Sequence, residues 1–453
     1  MFSLIAACDK EYGIGKNNTM TWYYDEDTKF FKKMTDGNVV IMGYNTWVSI
    51  PKTVRPLSNR MNVVITTKKM LNDDKQPDMI FNSIMDCVKY FSKESFKYKK
   101  YKKFVIGGAK IYKQFLKKGL IYEAYITYID KIYNCDTFVP EISNLGEYDI
   151  YQISKTSLLE FRKYNIKNKE EGDMLKLLSD VLEKGVVKKD RTGTGTKSLF
   201  SRELRFDISN WKIPMMTTRP VSFKIIFEEL MWILRGETDN KILNNKKIKI
   251  WNDNTSREFL DKQGLSHYRE GDIGPSYGFQ MRHYGEEYKG CDYEYNGYDQ
   301  LEYVIDLLKN NPDSRRILIN LWNPVQKKEM SLPPCVYGYQ FYVSEGKLSC
   351  KIIQRSSDIS LAGSHNCASG ALFTMMLCKI TNLEPGEIIW SPSDIHIYLN
   401  QIESVKEQLK RTPRHFPFIN IKKNHKKITD FEFSDFELIG YNPYPRIHFA
   451  MNA

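Results

Sequence analysis

Short apolar runs alternate with amphipathic stretches over the first third of the chain. Phe2–Ala7, Val39–Met42, Asn62–Thr66 and Phe104–Ile106 are compact and apolar, the pattern of strands buried on both faces. Strands separated by helical stretches predict an α/β sheet with its ligand beyond the strand ends. A charged stretch, Lys167–Asp173, follows, and the period then changes. Met174, Leu177, Leu178, Val181 and Leu182 fall on one helical face; Asp173 is predicted to cap that helix and Gly185 to stop it. Phe223, Ile226, Phe227, Leu230 and Leu234 repeat the pattern over Phe223–Arg235, and Ile317–Leu321, Val336–Val343 and Leu348–Ile353 read as strands. The predicted organisation is an α/β domain at 1–166, a short charged junction at 167–173, and an α+β domain of sheet and helices at 174–453.

Composition narrows the function. The 453 residues are ample for two cores. No apolar run approaches the roughly twenty residues that cross a bilayer. The apolar start, Phe2–Cys8, is short for a signal peptide and lacks a basic front end, so a cytoplasmic protein is expected. Eight cysteines without CxxC spacing and seven histidines without HExxH predict neither a disulfide framework nor a metal. The formal charge of +12 suits anionic small substrates. The densest basic patch, Lys93–Lys103, interleaves tyrosine as nucleic-acid binders do, but such runs are more often solvated faces, and no nucleic-acid partner is expected.

Candidate chemistry concentrates in a few places. Pro333-Pro334-Cys335 precedes Gln354-Arg355-Ser356-Ser357-Asp358 by about twenty residues. A lone thiol attacks only as thiolate, and a neighbouring guanidinium favours that form while also gripping phosphate. Alone, a cysteine ahead of a strand is more often structural. Asp190–Thr196 is a glycine-rich loop carrying Arg191, and Asn311–Arg316 offers Arg315 and Arg316; both suit phosphate, though each alone is an ordinary charged turn. In the first third, Asp27 shares a helix with Phe30 and Phe31, and could hold a flat heterocycle with adjacent N–H donors. Ile41–Trp47 and Phe104–Ala109 are strand, glycine turn and helix start, where phosphate can sit.

Taken together, the first 166 residues resemble dihydrofolate reductase. The matching segments are Ser3–Ala7, the Ile14–Trp22 loop, Asp27 with Phe31, Val40–Gly43, Thr46-Trp47, Ser49-Ile50, Arg60, Val105–Gly108 with Tyr112, and Thr127. The resemblance implies reduction of dihydrofolate by NADPH. It implies that Asp27 holds the pterin and supports its protonation, with Thr127 bonded to Asp27. Ile5, Ala7, Phe31, Ser49, Ile50, Leu57 and Ile106 would line the folate cleft, and Arg60 would pair with the folate carboxylate. NADPH would lie along Ala7, Ile14, Gly15, Met20, Gly43, Thr46, Thr66, Gly107, Gly108 and Tyr112, with a cis peptide at Gly107-Gly108. Two positions depart from the family. Thr21 replaces a proline, which loosens the loop, and Tyr44 replaces a basic residue, which leaves Lys68 to read the 2′-phosphate.

Residues from about 173 onward resemble thymidylate synthase. The motifs are Glu229–Trp232, Ile250-Trp251, Gly274–Gly278, Leu332–Cys335, Gln354–Asp358, Asn366, His396 with Tyr398, and Tyr441-Asn442-Pro443. The resemblance implies methylation of dUMP by 5,10-methylene-tetrahydrofolate, with Cys335 adding to the uracil ring. Arg355, Arg191 and Ser356 would hold the phosphate, joined by Arg315 and Arg316 from a second copy in a homodimer formed through the sheet, and Ser357 would also belong to the dUMP site. Glu229 would organise proton transfer, and Trp251 and Asp358 would meet the folate, Asp358 lying beside the nucleotide as well. His396 and Tyr398 would bond the deoxyribose. Asn366 favours uracil, since the related deoxycytidylate hydroxymethylases carry aspartate there. Departures are Asn252 for Asp, Met281 for Trp, Val336 for His, a polar Leu361–Asn366 segment where the family has Leu-Gly-Leu-Pro-Phe-Asn, and the tail Met451-Asn452-Ala453.

The two resemblances together imply a bifunctional enzyme. The alternatives are a deoxycytidylate hydroxymethylase in the second half, or an RNA-binding regulatory protein on a decayed enzyme scaffold. Asn366 argues against the first. Retention of Asp27, Cys335, Arg355 and the phosphate arginines argues against the second.

Overall fold

The computed structural model describes residues 2–68, 74–92, 100–141, 148–190 and 192–451. The expected phosphate ligand Arg191, most of the basic patch (93–99) and the last two residues of the tail lie outside these. The chain divides into two compact units, one up to Lys169 and one from Glu170 on, except that Pro413–His415 and Ile439–Tyr441 group with the first.

In order, the first unit holds β1 (Phe2–Cys8), β2 (Gly13–Gly15), α1 (Asp25–Thr35), β3 (Val39–Gly43), α2 (Tyr44–Ser49), β4 (Met61–Ile65) and β5 (Met79–Phe81). It continues with α3 (Ile84–Ser92), β6 (Lys103–Gly107), α4 (Ala109–Lys117), β7 (Ile121–Ile129), β8 (Thr137–Phe138), β9 (Tyr148–Lys155) and β10 (Leu159–Ile166). Eight strands form one sheet in the order β5-β4-β3-β6-β1-β7-β10-β9. The strands from β5 to β7 run parallel, and β10 and β9 add antiparallel pairs at one edge. Each central strand reads as a continuous apolar run because it is covered on both faces. Phe30, Phe31 and Met34 of α1 pack on Ile5, Phe104 and Tyr125. Trp47 of α2 packs with Val40, Met42 and Val64. The parallel strands β1, β3 and β6 end at Cys8, Gly43 and Gly107, and a ligand cleft is expected outside such ends.

The second unit opens with α5, Lys169–Lys184, followed by β11 (Val186–Lys188), β12 (Thr196–Phe200), β13 (Leu204–Asp207), α6 (Phe223–Leu234), α7 (Lys241–Asn245), α8 (Arg257–Lys262), α9 (Tyr277–Arg282) and α10 (Gln300–Asn310). Then come β14 (Leu318–Asn320), β15 (Val336–Ser344), β16 (Lys347–Asp358), a π-helical turn (Ile359–Gly363), α11 (Ser364–Thr381), β17 (Glu384–Tyr398), α12 (Ile402–Leu409), β18 (Phe418–Ile421) and β19 (Phe436–Ile439). The main sheet runs β11-β12-β17-β16-β15-β14, with β13 also on β17. Only β16 and β17 pair in parallel, which sets Ser356 beside Asp394 and Asp358 beside His396. α11 presses on this sheet so closely that a Cβ at Gly370 would lie 2.2 Å from Ile352 Cδ1. Among the described residues, no helix is long and apolar enough to cross a membrane.

The helix expected to start at Met174 begins five residues earlier, at Lys169, so Asp173 lies inside α5 and caps nothing, and most of the expected junction is helical. Acidic side chains suit a helix N-terminus, and here two of them do the work further out. Glu170 bonds Lys212 Nζ at 2.6 Å. Glu171 is fully buried and accepts from the backbone N–H groups of Thr217 (2.9 Å) and Thr218 (2.7 Å) and from Thr217 Oγ1 (2.7 Å). Removing this carboxylate strands three buried donors. Glu171→Ala should therefore destabilise the second unit by about 3 kcal/mol, read by urea unfolding; a loss under about 0.5 kcal/mol would contradict the assignment.

Candidate active sites

The first unit carries a cleft of about 1240 Å³ at the strand ends. Ile5 and Ala7 of β1, Gly43 of β3, and Ile106 and Gly107 of β6 form its floor, and α1 supplies Asp27 and Phe31 to one wall. Ser49, Ile50 and Leu57 complete the folate candidates within it; Ile14, Gly15, Met20, Thr46, Thr66, Lys68, Gly108 and Tyr112 line it as well. Two expected folate residues do not line it. Thr127, on β7, hydrogen-bonds Asp27 from beneath. Arg60 donates through Nε to Thr35 Oγ1 at 2.8 Å, with its guanidinium 5.9 Å from the Phe31 ring.

Asp27 is a half-buried carboxyl among apolar walls. Burial raises its pKa above the ordinary carboxylate value, and the Thr127 bond partly opposes this. The glycine turns are tight for a reason. The Gly107-Gly108 peptide is cis, and Gly107 has φ 132°. A Cβ at Gly107 or Gly108 would stand 3.3 or 3.2 Å from Thr46 Oγ1, and one at Gly43 3.0 Å from Ile111 Cγ1. Bare backbone there leaves room for a polyphosphate beside the first turn of α4, where Ala109 and Lys110 also line the cleft. Tyr112 is anchored by donating to the Ile5 carbonyl at 2.7 Å. Lys68 Nζ lies 3.9 Å from the Tyr44 ring centre, so the tyrosine in the family's basic position supports a cation supplied from elsewhere. The cleft fits a phosphorylated dinucleotide. Asn82, Ser83 and Lys110 also line it, and no motif marked them; Asn45, within the Ile41–Trp47 motif, lines it too.

The loop holding Met20 is organised by a turn with Asn17 and Asn18 in the left-handed region. The Asn17 N–H donates to Asp136 Oδ2 at 2.9 Å, and Thr21 Oγ1 lies 3.6 Å from Cys135 Sγ. Met20 itself is 61% exposed.

In the second unit Cys335 immediately precedes β15. The Arg355 backbone N–H donates to the Cys335 carbonyl at 2.9 Å. The Arg355 side chain bonds the carbonyls of Pro334 (Nε, 2.9 Å) and Pro333 (Nη2, 2.8 Å), and Nη2 lies 3.8 Å from Cys335 Sγ. Trp322 underlies the guanidinium at 5.7 Å. The Cys335 N–H donates to Tyr277 Oη at 2.7 Å. Tyr277 reaches it because the Gly274–Gly278 motif packs without side chains against backbone: a Cβ at Gly274 would lie 2.1 Å from the Glu329 carbonyl oxygen, and one at Gly278 2.7 Å from that of Glu237. Burial first, then the adjacent Cys335 and Glu229, push the Tyr277 phenol far up, so it stays neutral.

Glu229, on α6, is held from two sides. Trp251 Nε1 donates to Oε1 at 2.9 Å, and His365 Nε2 sits 2.6 Å from Oε2. The Trp251 ring in turn packs edge-on against Tyr277 at 5.7 Å. Asp358 is largely committed to its own turn: Oδ1 accepts from the Ser360 and Leu361 N–H groups at 3.0 and 3.2 Å, and Oδ2 from Gln401 Nε2 at 3.0 Å. Burial raises its pKa, against the pull of Gln401 and His396. His396 Nδ1 lies 3.1 Å from Asp394 Oδ1, and its ring packs edge-on against Tyr398 at 5.4 Å. Ser356 is half-buried and Ser357 buried on β16; Asn366 sits in the first turn of α11. Arg315 and Arg316 are exposed on the turn between α10 and β14, and Arg315 lines a separate depression of about 370 Å³ with Phe341 and Lys351. Sequence reasoning gave no role to His365, Tyr277, Trp322 or Gln401; only the polarity of the 361–366 segment hinted at the first. Among the described residues, no group of His, Cys, Asp or Glu is arranged to hold a metal ion.

Comparison with known proteins agrees with this division. The dihydrofolate reductase family profile matches residues 1–169 and the thymidylate synthase profile residues 173–453. A bifunctional dihydrofolate reductase-thymidylate synthase of Paramecium tetraurelia is 39% identical over 99% of this chain and 98% of its own length. Proteins of the same description from Leishmania major and Zea mays are each 35% identical, over 99% of this chain and 95% and 96% of theirs. A thiol–guanidinium pair and a carboxylate-bearing cleft on one polypeptide, matched along nearly its whole length, make this chain a member of the bifunctional dihydrofolate reductase–thymidylate synthase family.

Proposed function

We propose that this chain methylates dUMP to dTMP with 5,10-methylene-tetrahydrofolate in its second unit and reduces the resulting dihydrofolate with NADPH in its first. The carrying observation is that one chain holds both the Cys335–Arg355 pair and a separate cleft with a single carboxylate, Asp27, in its wall. In the synthase, the Cys335 sulfur adds to carbon six of the uracil and makes carbon five nucleophilic. Arg355 balances the sulfur's charge and that of the phosphate, with Arg191 and Ser356 completing the anion site, and Ser357 belongs to the same dUMP-binding strand. Arg315 and Arg316, exposed on their own chain, are supplied by a second copy in a homodimer. Asn366 can both donate and accept toward uracil, which favours dUMP over dCMP. His396 and Tyr398 hold the sugar, Trp251 and Asp358 the folate, and Glu229 organises proton transfer.

In the reductase, Asp27 accepts two N–H donors from the pterin and supports ring protonation, with Phe31, Ile50, Leu57 and Ile106 excluding water. Arg60 pairs with the folate carboxylate. NADPH, when bound, supplies hydride. Gly43, Thr46, Gly107, Gly108 and Tyr112 would carry its backbone, Lys68 its 2′-phosphate, and the Met20 loop would close over the site. The place of action is the cytosol.

Two sets of measurements test this. Cys335→Ser should abolish dTMP formation and leave reduction intact; Asp27→Asn should lower reduction by about 100-fold or more at pH 7 and leave dTMP formation intact. The Asp27 pKa is raised on folding, so ionising the carboxyl costs stability. That cost is absent below the ordinary carboxylate pKa and grows as pH rises through it toward the folded value. Asp27→Asn should therefore melt at or above the wild-type temperature at pH 7, and a lower melting temperature would contradict the burial argument. Separately, Lys68→Ala should raise KM for NADPH by about 10-fold with little change for NADH; equal effects on both cofactors would remove Lys68 from the 2′-phosphate.

A further inference from the structure

We propose that His365 is a positioning residue of the methylation site, which fixes the Glu229 carboxylate in one orientation. The inference rests on the reading of Glu229 as the organiser of proton transfer. A glutamate side chain has three rotatable bonds, and a carboxylate that directs protons must present the same oxygen at each turnover. Here both oxygens are engaged by donors from different parts of the fold, the Trp251 indole at 2.9 Å and the His365 imidazole at 2.6 Å. The side chains of His365 and Glu229 are only 19% and 15% exposed, so water competes little for the contact. Nε2 is a donor to the carboxylate whether the ring is neutral with its proton there or fully protonated.

The backbone under His365 is built to hold it. The chain leaves β16 through the π-helical turn Ile359–Gly363 and enters α11 without a break; such turns often sit at functional positions. Asp358 caps the turn through the Ser360 and Leu361 N–H groups. Arg219 ties its far end by donating to the Leu361 carbonyl at 2.9 Å and to Ser364 Oγ at 3.3 Å. Gly363 lies against Trp390, where an added Cβ would stand 3.2 Å from Cη2, so the small residue lets the turn sit deep. Asn366 follows His365 in the first turn of α11, so base recognition and carboxylate orientation share one segment. The family pattern has phenylalanine where His365 stands, which cannot donate to Glu229.

The test uses the full chain with dUMP and methylene-tetrahydrofolate. It measures synthase kcat, KM for dUMP, and tritium release from 5-tritiated dUMP, with reductase rate as a folding control. His365→Phe should lower kcat and tritium release about 10-fold, leaving KM for dUMP and the reductase rate unchanged. His365→Gln, which keeps an N–H donor at similar reach, should recover most of the loss. Wild-type kcat in His365→Phe, an effect on KM alone, or equal losses in both variants would overturn the proposal. Glu229→Gln separates the two readings: full activity there removes the role of Glu229 itself, whereas a dead Glu229→Gln beside a normal His365→Phe removes only that of His365.

Discussion

Arg355 holds the turn that carries Cys335. Its side chain takes the carbonyls of Pro333 and Pro334, its backbone N–H takes that of Cys335, and the same Nη2 that bonds Pro333 also faces the sulfur. Two prolines have no N–H to contribute to a ladder, so the approach to β15 cannot be fixed by sheet pairing and needs a side chain. Using a cation for that task places a positive charge beside the thiol at no further structural cost. Tyr277 completes the fixation from below, and its ring leads through Trp251 to Glu229. Thiol, cation and carboxylate are thereby parts of one packed chain of contacts.

The reductase unit meets the opposite requirement. Its cleft must keep one carboxyl poorly solvated and without a resident cation, so that a substrate cation or N–H edge becomes its partner. Asp27 satisfies this with a single neutral donor, Thr127, from the neighbouring strand. In the proposed synthase site the thiol is paired in advance; in the proposed reductase site the acid is left to be paired by substrate. The two arrangements have different scaffolds: the ends of parallel β1, β3 and β6 open the reductase cleft, while the antiparallel register of β15 and β16, with Val336 opposite Gln354, sets Arg355 beside Cys335.

Four of the parallel strands were legible in sequence because burial on both faces leaves an unbroken apolar run, and β1, β3, β4 and β6 match those runs closely, whereas parallel β5 and β7 were not read. β9 was not legible: it is an edge strand with most residues exposed, so it carries no apolar signal. The start of α5 was misjudged because a capping aspartate at 173 outweighed two acidic residues ahead of it, one of which is buried by Thr217 and Thr218 more than forty residues on. The candidates Cys335, Arg355 and Asp27 came from their neighbours in sequence, and the structure sets Arg355 beside Cys335 and Asp27 in the cleft wall. The contact between His365 and Glu229 spans 136 positions and leaves no local spacing to read.

The most direct test of the account is the covalent state of Cys335. Full-length protein incubated with 5-fluoro-dUMP and methylene-tetrahydrofolate should form an adduct carrying both molecules on the peptide that contains Cys335, and Arg355→Ala should lose it. No adduct, or an adduct on any of the other cysteines, would contradict the claim that the Arg355–Cys335 pair is the seat of nucleotide chemistry.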